Sequence, residues 1–231
     1  MIEKVTCPGQ RVPYGAQATG CPRATGFSLV ELAIVLVIIG LLLGAAVIPL
    51  SSQMERNRRN ETRQQIEDIV DALIGYAVIN KHLPCPDFNG NGLDDDHCAG
   101  GPGRFYSGPL PGAALGVKTR DAWGRPLTYV VNGAFTATLQ LSSSGTGSGR
   151  LGIAERPGCG SRRVADDVPA ILLSTAKQRY PSRLERENVD HDNCFVTTGY
   201  SLRTGAEFDD LLGWVSRQIL IDRLAASGQL P

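Results

Sequence analysis

Neither sign of charge is in excess: lysine plus arginine and aspartate plus glutamate each number 23 among 231 residues. No long-range field therefore recruits nucleic acid or an acidic surface. Aromatic residues make up only 6%, and the three histidines, His82, His97 and His191, each lie in a polar stretch. There is no nucleophile elbow and no His-Glu-x-x-His pair. The glycine-serine run 142–149 has the spacing of neither a dinucleotide fingerprint nor a Walker loop, and reads as a flexible loop. These absences remove the common catalytic and nucleotide-binding constellations, and the chain reads as a non-enzyme. Internal repeats are also missing. What remains, 42% hydrophobic and 20% charged residues, is ordinary for a folded protein.

One further absence is local. From Leu32 to Leu50 the chain carries no charge for 19 residues, close to the ~20 that a helix needs to cross a bilayer. An ordinary secretory signal peptide would place a small-residue cleavage site after such a run, and Gly44-Ala45-Ala46 has that composition. However, the preceding segment is long for a signal peptide, and an acid, Glu31, stands at the mouth of the run. Immediately before it the sequence reads Gly26-Phe27-Ser28-Leu29-Val30-Glu31-Leu32. This resembles the processing motif of type IV pilins and type II secretion pseudopilins. The resemblance implies that a prepilin peptidase cuts after Gly26 on the cytoplasmic face, that the new N-terminal Phe27 is N-methylated, and that Glu31 serves assembly.

Each residue type suits that chemistry. Gly26, lacking a side chain, lets the chain extend into a protease groove. A carboxylate at the bilayer centre costs ~2.5–3.5 kcal/mol on insertion scales, so Glu31 gains from a partner. The amine freed at Phe27 of a neighbouring subunit is such a partner. The simpler role for Glu31 is that of an acid favoured at a helix start. Charge counting leaves topology open, because Lys4, Arg11 and Arg23 before the run face Arg56, Arg58, Arg59 and Arg63 after it. The resemblance supplies the orientation: a single-pass protein of the bacterial inner membrane, with its C-terminal domain in the periplasm.

The helix is expected to continue. Ile66, Ile69, Val70, Leu73, Ile74, Ala77 and Val78 recur at three and four residues, the stripe of a helix with one buried face. A helix from Phe27 to Asn80 would be roughly 80 Å long. Gly40, Gly44 and Pro49 are its weak points, and Pro49 falls one residue later than in the pseudopilins it resembles. Pro84 and Pro86 end the pattern. The sequence thus divides into a leader (1–26), a long helix (27–80, transmembrane to about 50) and a β-rich domain (81–231). The predicted fold is α+β, a long helix packed on an antiparallel sheet. Strands are expected at 127–131 and 135–141, joined by Asn132-Gly133 as a hairpin, and at 168–173 and 208–215. Ser216 is expected to cap a final helix over 217–226. Trp123 and Trp214 read as core residues. The stretch Asp121-Ala122-Trp123-Gly124-Arg125-Pro126 resembles the segment that opens the pseudopilin sheet.

Cys7 and Cys21 precede the expected cut, leaving Cys85, Cys98, Cys159 and Cys194 in a domain placed outside the cytoplasm, where two disulfides are expected. Of three pairings, Cys85–Cys98 with Cys159–Cys194 closes two separate local loops. Zinc held by His82, Cys85, His97 and Cys98 is the competing use. Within the first loop, Asp87, Asn89, Asn91, Asp94 and Asp95 resemble the start of a calcium loop, but the closing glutamate is replaced by Cys98. A solvated asparagine-glycine turn accounts for the same residues.

The resemblance implies a structural subunit, a minor pilin or pseudopilin. Its partners would be other such subunits through the N-terminal helix, the prepilin peptidase and an inner-membrane assembly platform. It would be polymerised for secretion, adhesion or motility. The alternative is an extracytoplasmic binding module held by a signal anchor and never polymerised.

Overall fold

Apolar side chains three and four residues apart decide which face of the first helix is buried, and the computed structural model of the protein shows what they are buried against. The structure describes residues 26–95, 98, 103–140, 142–160, 162–177 and 182–228, with the backbone alone at 43–50 and 148. Two compact units result, Met1–Leu50 and Ser51–Pro231. Helix α1 (Leu29–Asn80) contributes to both, so the division falls within the helix and not at its end.

In the first unit α1 passes through Gly40, Gly44 and Pro49 as continuous helix. Every described side chain from 26 to 42 is exposed. Among the described residues no helix is long and apolar enough to cross a membrane. The described side chains of the apolar run end at Leu42, so the second half of the span read from Leu32 to Leu50 lies outside them.

The second unit is layered. A four-stranded antiparallel sheet has the order β1 (Phe105–Pro109), β2 (Thr128–Asn132), β5 (Ala170–Ser174), β7 (Leu211–Val215). A second sheet has the order β4 (Arg163–Asp166), β3 (Gly152–Ala154), β6 (Cys194–Val196), with β3 and β6 parallel. Helices α2 (Gly112–Leu115) and α3 (Arg217–Ala226) complete the unit. Alternation along the central strands assigns the layers. Tyr129, Val131, Ala170 and Leu172 join Ile66, Ile69, Leu73 and Ala77 of α1 in one core. Val130 and Ile171 point the other way, to Leu151, Ile153 and Phe195. Buried on both faces, β5 therefore reads as an apolar run from Ala170 to Leu173. Gly213 of β7 lets α1 approach closely, since a Cβ there would lie 2.2 Å from Ile66 Cγ2.

Several expectations need correction. Asn132-Gly133 does not turn a hairpin, and 135–141 is not a strand. The Asn132 side chain accepts from the Ala134 N–H at 3.0 Å and starts a short 3-10 turn, Gly133–Phe135. Thr136 then donates to the Gly133 and Cys98 carbonyls. The β2 ladder is taken instead by β1 and β5. The glycine-serine run is pinned, not free: Ser144 Oγ and the Gly145 N–H both donate to the buried Asp167 carboxylate, at 2.6 and 2.8 Å. The last helix runs as expected over Arg217–Ala226, but Ser216 makes no side-chain cap. Trp123 and Trp214 are half-buried, each packed on the edge of a core.

Candidate functional site

Gly26, Phe27 and Ser28 form an extended lead-in to α1. Nothing lies within 4 Å of where a Gly26 side chain would begin, and Phe27 and Leu29 are 81% and 88% exposed. Ser28 opens the helix: its Oγ accepts from the Val30 N–H at 3.3 Å, and its carbonyl accepts from the Leu32 N–H at 3.1 Å. Glu31 follows in the first turn, exposed, at the third helical position. Ser-x-x-Glu is the capping-box spacing, so Ser28 and Glu31 suit a helix start for local reasons as well. The motif analysis passed over Ser28, though its spacing to Glu31 was the available signal. From Leu32 to Leu42 the apolar side chains are exposed around the whole circumference; Val35, Ile38 and Leu42 share one side while Leu36 and Leu41 occupy others.

The four cysteines of the second unit pair as Cys85–Cys98 and Cys159–Cys194. The first bond consumes both thiolates of the zinc reading; His97 lies outside the described residues. Within that loop the carboxylates act as acceptors that close the turns. Asp87 Oδ1 accepts from the Gly90 and Asn91 N–H groups at 2.7 and 3.0 Å, and its Oδ2 from Gly92 at 2.7 Å. Asp95 accepts from the Phe88 and Asn89 backbone and from the Asn89 side-chain amide. Asp94 accepts from the Cys85 N–H at 2.7 Å and the Tyr76 hydroxyl at 2.8 Å. Asn89 Oδ1 and Asn91 Oδ1 accept from Asn91 and Leu93. The oxygens that the spacing offers to calcium thus face N–H and O–H donors, and these bonds order the loop.

The segment around Trp123 is a turn built by Asp121. Its Oδ1 accepts from the Trp123 and Arg125 N–H groups, both at 2.9 Å, and its Oδ2 from Ser174 Oγ at 2.6 Å. Thr62 of α1 accepts from the Ala122 N–H at 3.1 Å, fixing the turn to the helix.

Sequence reasoning also missed a buried carboxylate cluster, Glu185, Asp209 and Asp210, whose oxygens lie within 4.8 Å of one another. Glu185 accepts from the Ser182 and Asp209 N–H groups, and Asp210 from the Asn188 amide at 2.8 Å. Burial, more than the neighbouring acids, pushes the Asp210 carboxyl up to about 7. Nothing in the spacing joins residue 185 to 209 and 210; only the fold does.

Among known families, the model of the prokaryotic N-terminal methylation motif matches residues 21–47, which include Gly26, Phe27 and Glu31. The chain carries this motif, which is characteristic of type IV pilins and pseudopilins. No curated protein and no solved structure matches the chain.

Proposed function

We propose that the chain is a structural subunit of a type IV pilus-like filament, a minor pilin or pseudopilin, and a substrate of processing enzymes rather than an enzyme itself. Prepilin peptidase cuts after Gly26, the amine of Phe27 is methylated, and the helix that follows anchors the subunit in the inner membrane with its outer unit in the periplasm. Through the assembly platform the apolar helix then passes into a filament, packed against the same helix of other subunits.

The observation that carries this reading is the apolar surface of residues 32–42, which lies within the motif and is exposed on all sides of α1. A lone helix in water does not keep such a surface, since burying each large aliphatic side chain is worth about 1.5–3 kcal/mol. Lipid or other helices must cover it. In lipid Glu31 is a cost, and in a filament the amine of Phe27 on a neighbour offsets much of it.

Coexpression with a prepilin peptidase followed by intact mass measurement tests the reading. The expected product begins at Phe27 and carries one methyl group, and Gly26→Val leaves the precursor uncut. Glu31→Ala is expected to be inserted and processed but poorly incorporated into sheared filaments. A mature terminus near Val47, or normal cleavage of Gly26→Val, overturns it; an uncut parent chain points to an anchored binding module.

A further inference from the structure

The two edges of the four-stranded sheet are treated differently. At β1 the disulfide loop lies along the edge, with the Asp87 N–H donating to the Pro109 carbonyl at 3.0 Å and the Phe88 ring against Gly108. At β7 only β5 is paired. Alternate residues of a terminal strand turn N–H and C=O groups outward. No backbone bond outside the β5 ladder engages β7 among the described residues.

A groove of about 460 Å³ runs along this edge. Five consecutive residues, Asp210–Trp214, line it, so it follows the strand and not one face of the sheet. The opposite walls are α1 and residues 197–200. Helix and strand advance together, since Arg59 Nη1 donates to the Asp209 carbonyl at 2.8 Å while Ile66 packs at Gly213. The groove consequently has two electrically distinct ends. Arg59, stacked on the Tyr200 ring at 4.1 Å, and Arg63 stand at the first. Glu67 and Asp71 follow toward the other, about 6 and 12 Å from Arg63 along the helix. Arg63 is exposed and has no ion-pair partner among the described residues. Asp210 borders the arginine end, but its buried carboxyl is turned to Asn188.

We infer that the β7 edge is a docking site for an extended segment of a partner protein, added as a further strand, with a carboxylate side chain at the Arg63 end. Outward backbone groups of β7 supply hydrogen bonds, and the two ends of the groove select the direction in which an acidic residue lies. The charge pattern favours a different protein over a second copy of this chain. Of the outer strands of the second sheet, β6 turns the Val196 N–H and carbonyl to the Asn188 side chain, and β4 already commits its acid, Asp166, to Arg150 and Arg163 at 2.7 Å each.

The site is independent of the filament reading, so it is tested on the uncut full chain in detergent micelles by fluorescence anisotropy. The probe is a labelled, acetylated Glu-Val-Thr-Val-Thr-Val amide. Saturable binding is expected, weakened at least about tenfold by lysine in place of the peptide glutamate and by Arg63→Glu. N-methylation of alternate peptide nitrogens is expected to abolish it. The inference is overturned if the peptide does not saturate, if the lysine peptide or Arg63→Glu binds equally well, or if N-methylation has no effect. Self-association of the chain that Arg63→Glu disrupts overturns it too, by showing a second copy in the groove.

Discussion

Replacing Asp210 with asparagine isolates what a buried carboxylate costs this fold. Asp210 is 5% exposed, and its carboxyl is raised from 3.8 to about 7, chiefly by burial and further by Glu185 and Asp209, against the opposing pull of the Asn188 amide and Arg125. The native state therefore holds the Asp210 proton more tightly than the unfolded chain does. The resulting penalty is absent below about pH 4, grows between the two values and is complete above about pH 7. From about pH 5 to about pH 8 it increases by on the order of 2–3 kcal/mol. Asparagine preserves an oxygen toward Asn188 Nδ2 and never ionises. Asp210→Asn is expected to be more favourable, relative to the parent, by about 2–3 kcal/mol at pH 8 than at pH 5. Urea unfolding of the oxidised chain, followed by tryptophan fluorescence at both pH values, gives this difference directly, and any constant effect of the amide cancels. The same stability difference at both pH values would show that the Asp210 carboxyl is already ionised in the folded state at pH 5, and the account of the cluster would fail.

Gly213→Ala is expected to destabilise by about 1–3 kcal/mol, because its Cβ would meet Ile66 where helix and sheet interlock; thermal melting checks it. Reducing Cys85–Cys98, or replacing both residues with alanine, is expected to cost about 3 kcal/mol in the same assay. Millimolar calcium is expected to leave the melting temperature unchanged, whereas Asp87→Ala lowers it by stranding three loop N–H groups; a calcium-dependent rise would favour the cation reading.

How much of this could be read in advance depended on whether the signal was local. Periodicity alone located the buried face of α1, because Ile66, Ile69, Leu73 and Ala77 repeat with the helix itself. The methylation motif was legible because Gly26, Phe27 and Glu31 lie within six residues of one another along the chain. Asn132-Gly133 misled because the same dipeptide suits a two-residue hairpin and an Asx turn, and only the competition between β1 and the 135–141 segment for the β2 edge decides between them. The second sheet was missed for a related reason. Its parallel pair, β3 with β6, joins two three-residue strands about forty residues apart, too short and too distant for any pattern to show. The pinning of 142–149 depends on Asp167, a single acid whose partners composition does not reveal.

The unequal spans of the two disulfides give maturation an order in time. Cys85 and Cys98 are separated by 13 positions, Cys159 and Cys194 by 35. A chain emerging N-terminus first can seal the first loop while everything after it is still unmade. Strand β3 must then wait for β6, and until Cys194 arrives its Ile153 lacks the Phe195 side of its core and the edge away from β4 has no neighbour. That interval is the vulnerable one, and the slow step of maturation is expected there, since closing the longer loop precedes any reward from the strand pair it brings together.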